Sequence, residues 1–87
     1  MTNINIYCLS DDADELYGVY SSIKAVHRDA IKICNQGTSA VYLKQGADIS
    51  KASLPALRNL FKGAMDVKTQ YVSDVRRVTI LKTGLKE

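Results

Sequence analysis

An apolar stripe at helical spacing constrains this chain more than any other feature: Leu16, Val19, Tyr20, Ile23, Val26, Ala30, Ile31, Ile33 and Cys34 recur at steps that place them along one side of a helix. The stripe predicts one long amphipathic helix. Ser10 or Asp12 caps it, and Glu15, three residues after Asp12, takes the capping-box position. Gly18 falls on the wet side, where it weakens a helix without breaking it. Asn35-Gln36-Gly37 predicts the end, because glycine accepts the left-handed backbone that closes a helix. A helix with a single apolar face needs a partner layer, and the flanking segments must supply it.

Those segments read as strands. Residues 3–9 alternate, with Ile4, Ile6 and Cys8 on one side and Asn5, Tyr7 and Leu9 on the other. Residues 39–45 predict a second strand, with Val41 and Leu43 opposite Ala40, Tyr42 and Lys44, followed by a turn at Gly46-Ala47-Asp48. Ser53, with Pro55 in the first turn, opens a second helix whose apolar face is Leu54, Leu57, Leu60, Phe61, Ala64 and Met65, and Gly63 marks its end. Residues 67–72 and 75–82 alternate like two strands joined tightly at Ser73-Asp74. A rival reading runs the second helix on to Tyr71, but the Val, Thr and Tyr of this stretch favour strand. The expected architecture is an α+β two-layer sandwich of order β-α-β-α-β-β: one mixed sheet with two helices on one face. A right-handed crossover would make the first two strands parallel. Eighty-seven residues leave room for a single domain spanning 1–87.

Apolar residues make up 46% of the chain and charged ones 24%, which excludes wholesale disorder. No apolar run approaches the length of a membrane span, and the opening residues lack the basic and apolar regions of a signal peptide. A soluble, cytoplasmic protein without a membrane partner is expected. Asp11, Asp12, Asp14 and Glu15 crowd the first fifteen residues, while the rest carries twelve bases against five acids. The acid cluster reads as the start of the long helix, where it complements the dipole. As a metal cage its members stand too close in sequence. The basic remainder favours phosphate-bearing or acidic partners.

Cys8 and Cys34 have neither C-x-x-C spacing nor a disulfide framework and read as small buried hydrophobes. A zinc site from Cys8, Cys34 and His27 would lack a fourth ligand. No metal or other cofactor is expected. There is no glycine-rich phosphate loop, nucleophile elbow or paired histidine. A small nuclease could centre on His27, the one histidine, with Lys24, Arg28 or Tyr20 within a helical turn, but no second general acid is supplied. The chain reads as a non-enzyme.

The basic residues say more. Lys24, Arg28 and Lys32 form a straight row on the first helix, Arg58 and Lys62 repeat its spacing on the second, and only Asp29 offers a nearby acid. Such rows are often solvated helix faces, yet an unpaired row repels itself unless something anionic lies against it. If Ile4, Ile6, Cys8, Val41 and Leu43 meet the helices, then Tyr7, Tyr42 and Lys44 look out from the bare side of the sheet, joined by one of Arg76 and Arg77. Aromatic and basic side chains on an open sheet are how small RNA-binding domains stack bases and hold phosphates. The same face could seal a homodimer. The leading expectation is a non-catalytic RNA- or other nucleic-acid-binding protein, acting as a dimer by occupying a surface. Lys24, Arg28, Lys32, Lys44, Arg58, Lys62, Arg76 and Arg77 would contact phosphates, and Tyr42 would stack. The alternative is a small inhibitor or adaptor, of the kind phages and plasmids deploy against host defences, docking on an acidic or nucleic-acid-handling protein.

Overall fold

A computed structural model of the chain describes residues 3–35 and 40–86. Two β-hairpins, each followed by a helix, lead into a third hairpin: β1 (Asn3–Asp11), β2 (Leu16–Tyr20), α1 (Ile23–Asn35), β3 (Tyr42–Gln45), β4 (Asp48–Lys51), α2 (Leu54–Phe61), β5 (Val67–Val72) and β6 (Arg77–Lys86). The six strands form one sheet in the order β2-β1-β6-β5-β3-β4, and every neighbouring pair is antiparallel. The fold is therefore α+β as expected, but the sheet is not mixed. The two strands expected to be parallel, β1 and β3, run oppositely, with β6 and β5 between them.

The long helix is the main correction. Its expected first half is a hairpin, and α1 starts only at Ile23. The acid cluster caps no helix; it makes the β1–β2 turn. Asp11 Oδ1 accepts hydrogen bonds from the backbone N–H groups of Ala13 (2.9 Å) and Glu15 (2.8 Å), and Asp14 takes the left-handed backbone at φ 62°. Ser22 opens α1 instead: its carbonyl accepts from Val26 N at 3.1 Å and its hydroxyl from Ala25 N at 3.3 Å. The expected turn at Gly46-Ala47-Asp48 leads into β4, a strand unforeseen in the sequence. The second helix does open at Ser53, whose hydroxyl accepts from Ala56 N at 3.2 Å with Pro55 in the first turn. Residues 67–72 are strand, not helix. The side chain of Ile4 and residues 36–39, with the expected helix end at Gly37 and strand start at Ser39, lie outside the described residues.

Both helices pack on the same face of the sheet. Val26, Ala30 and Cys34 of α1 and Leu57 and Phe61 of α2 meet Tyr7, Leu9, Leu43, Tyr71, Val78 and Ile80 in one core. Burying each large side chain fully contributes about 1.5–3 kcal/mol. In β3 the inward pair is Leu43 with the preceding Val41, as expected. In β1 the assignment is inverted: Tyr7 and Leu9 are buried, so Ile6 and Cys8 belong to the bare side. Lys82 is also buried, with Nζ donating to the Phe61 carbonyl at 2.7 Å. The ammonium thus adds a second donor to a carbonyl that Ala64 N also reaches at 3.1 Å, at the negative end of α2. Among the described residues, no helix is long and apolar enough to cross a membrane.

Candidate nucleic-acid interface

Residues directly opposite one another in an antiparallel pair point to the same face, so strand register alone assembles the bare side of the sheet. At one end Lys51, Tyr42, Val72 and Arg77 form a row across β4, β3, β5 and β6. Two residues further along lie Ile49, Lys44, Gln70, Thr79 and Ser10. Next come Lys68, Leu81, Cys8 and Val19, and then Thr83 with Ile6. The face therefore has two halves. Over β1, β2 and the adjoining part of β6 it is mainly apolar; over β5, β3 and β4 it carries Lys44, Lys51, Lys68, the neighbouring Arg77 and the ring of Tyr42.

Tyr42 is 44% exposed, and Lys51, Lys68 and Arg77 are open to solvent, with Lys44 half-buried. Among the described residues none of the four cations has a carboxylate within ion-pair distance, and the ion pair found there is Arg28 with Asp29. A groove of about 500 Å3 beside them is lined by Lys44, Lys68 and Arg77, by Gln70 and Thr79, and also by Asp11, Asp12 and Asp14 of the β1–β2 turn.

The nine expected contact residues do not share a surface. Lys24, Arg28 and Lys32 line the outer face of α1, Arg58 lies on α2, and Lys62 follows its end, all exposed on the helix layer. Tyr42, Lys44 and Arg77 lie on the opposite face. Arg76 is in the β5–β6 turn, its guanidinium donating to the Tyr17 hydroxyl at 3.2 Å. The helix row is not wholly unpaired either, since Arg28 Nε donates to Asp29 Oδ1 at 3.1 Å. Asp29 also accepts from the Tyr20 hydroxyl at 2.7 Å; that bond first, then the one from Arg28, holds its carboxyl below the usual range. Tyr7, expected outside, is in the core. Lys51 and Lys68 were missed: Lys51 lies in the unforeseen β4, whereas the alternation of residues 67–72 already sets Lys68 on the outward side with Gln70.

Of the residues that a nuclease centred on His27 would draw on, Lys24 and Arg28 line one groove with it, whereas Tyr20 does not. Tyr20 belongs to β2, and its phenol, pushed up by burial and then by the Asp29 hydrogen bond, is committed to Asp29. The tyrosine beside His27 is Tyr71, fully buried and raised by burial. Cys34 faces the core, and Cys8 lies on the opposite side of the sheet, so the two cannot share a metal with His27. Among the described residues no three His, Cys, Asp or Glu side chains cluster as metal ligands. Comparison of the chain with protein-family models, with curated proteins and with solved structures finds no match.

Proposed function

We propose that this chain is a non-catalytic binding module for single-stranded nucleic acid, RNA foremost, which lies across the β5–β3–β4 half of the open sheet. The observation that carries the reading is the cross-strand placement of exposed Tyr42 between Lys51 and the Val72–Arg77 pair, with Lys44 and Lys68 behind it and, among the described residues, no carboxylate within ion-pair distance of any of the four cations. An exposed aromatic ring among unpaired cations suits bases that stack and phosphates that need counter-charge.

The test is fluorescence anisotropy with labelled single-stranded RNA and DNA of equal length over a series of salt concentrations. Neutralising four phosphates should give a log–log slope of about −3. Reversing Lys44 and Arg77 to Glu together should weaken binding to every sequence alike, because phosphate contacts position a strand without reading it. Reversing Lys24 and Arg28 on the helix layer should change it little. A flat salt response, or stronger dependence on the helix pair than on the sheet pair, overturns the reading.

A further inference from the structure

On the helix layer a groove of about 470 Å3 is lined by Ser22, Lys24, His27, Arg28, Ile31 and Leu54. It lies on the face of the molecule opposite Tyr42 and Lys44. Ile31 of α1 and Leu54 of α2 give it an apolar floor. Lys24 and Arg28, one helical turn apart, stand at its rim. Lys24 has no ion-pair partner among the described residues. Arg28 commits Nε to Asp29, which leaves its terminal N–H groups for another acceptor.

The orientation of His27 supplies a third donor. Tyr71 is fully buried, and its hydroxyl lies 2.7 Å from His27 Nδ1. A buried O–H must give its proton to an acceptor, and among the described residues Nδ1 is the one within reach. The proton of the neutral imidazole therefore sits on Nε2. The two ring nitrogens diverge widely, so with Nδ1 held toward the core, Nε2–H is aimed outward, on the side where His27 lines the groove. Burial lowers the basicity of His27 and favours this neutral form. The donor is fixed before any ligand arrives, which removes part of the ordering cost of binding.

We propose that this groove binds a small amphipathic anion, with a carboxylate or phosphate head held by Lys24, Arg28 and the Nε2–H of His27 and a short aliphatic tail laid over Ile31 and Leu54. A purely charged ligand would leave the apolar floor without a partner. A neutral apolar one would desolvate two cations and an N–H with nothing in return. The volume falls within the range that small-molecule sites occupy.

Long-range proton–nitrogen spectra of the His27 imidazole in the full chain test this, titrated with octanoate, octyl phosphate, acetate and octanol below micellar concentrations. A saturable shift of Nε2 is expected with octanoate or octyl phosphate, and the tighter of the two identifies the head group. Acetate and octanol should each bind at least about tenfold more weakly, since each lacks one half of the recognition. Both charge-reversed residues of Lys24→Glu/Arg28→Glu are exposed, so the fold should survive and affinity should fall by a similar factor. Lys44→Glu/Arg77→Glu on the other face should bind as the parent does. Acetate equal to octanoate, no saturable shift with either amphiphile, or full binding by the Lys24/Arg28 variant would each overturn the proposal.

Discussion

The Tyr71 hydroxyl and His27 Nδ1 lie 2.7 Å apart, with the two rings edge-to-face at a centroid distance of 5.6 Å, and this contact ties α1 to the middle of the sheet. With His27 neutral the hydroxyl donates to Nδ1; protonation makes Nδ1–H the donor and takes from the buried hydroxyl proton its acceptor. Burial lowers the pKa of His27 in the fold below its ordinary value near 6.5. Between those two values the unfolded chain binds more protons than the folded one, so stability rises with pH across the window and is lost as pH falls through it. Urea midpoints should therefore drop from pH 7.5 to pH 5, well above the acid range where Asp29 begins to contribute. His27→Gln, which still offers Tyr71 an acceptor, should show little change over the same interval. An equal pH dependence in that variant would assign the effect to another group.

Lys82 gives a second expectation, about stability alone. Its buried ammonium donates to the Phe61 carbonyl at 2.7 Å while its stem fills space beside Tyr7. Lys82→Ala removes both, and should cost about 2 kcal/mol, or roughly 10 °C in Tm. Lys82→Met keeps the stem and removes only the ammonium's hydrogen bond, while Ala64 N still donates to the carbonyl, so its loss should be at most about half as large. Calorimetry on the two variants separates packing from capping; no loss in either would mean that the ammonium leaves Phe61 for solvent.

The same side chains show why part of the fold was legible in the sequence and part was not. Ser53-Leu54-Pro55 carries its own capping chemistry, and the alternation of residues 67–72 carries its own period, so α2 and β5 follow from local sequence. Leu16, Val19 and Tyr20 fit a helix of 3.6 residues per turn. What makes them a strand is hydrogen bonding to β1, where Tyr20 pairs with Tyr7 and Val19 with Cys8. That partner is supplied by the fold, and it outweighs the local period. β1 was inverted because both of its sides are apolar: Ile6 and Cys8 compete with Tyr7 and Leu9, and a strand with two candidate inner faces has no unique parity. β3 has only one such face, so Tyr42 and Lys44 were placed correctly. β4, with Asp48, Ser50 and Lys51 around a single Ile49, offers no apolar signal and forms as the edge partner of β3.

The cysteines should differ sharply in reactivity. Cys34 is fully buried, and burial pushes its thiol up to about 11, so little thiolate exists near neutrality. Cys8 is half-buried on the open side of the sheet. A chromogenic disulfide reagent at pH 8 should consume one thiol promptly and the second only as the chain unfolds, orders of magnitude more slowly. Mass mapping should place the fast adduct on Cys8. Comparable rates at both sites would mean that α1 opens readily from the sheet.

Tyr42 decides what the open sheet is for. Its ring is exposed because Val41 and Leu43 take the inward positions, and its cross-strand neighbours are Lys51 and Val72. Little in the monomer rests on the ring, so Tyr42→Ala should leave Tm nearly unchanged. If the ring stacks on a base, the substitution should cost roughly 1–3 kcal/mol of RNA binding, and the sedimentation coefficient should not move. The salt slope should also persist, because the cations that set it are untouched. Tyr42→Phe should recover most of the loss, since stacking uses the ring and not the hydroxyl. If the face instead seals a two-fold dimer, Tyr42→Ala should shift sedimentation toward monomer, and binding should fall only in proportion to dimer lost. Measuring both quantities on one sample separates the two outcomes: a full loss of affinity at constant mass assigns Tyr42 to the nucleic acid, and a loss that tracks dissociation assigns it to a second copy of the chain.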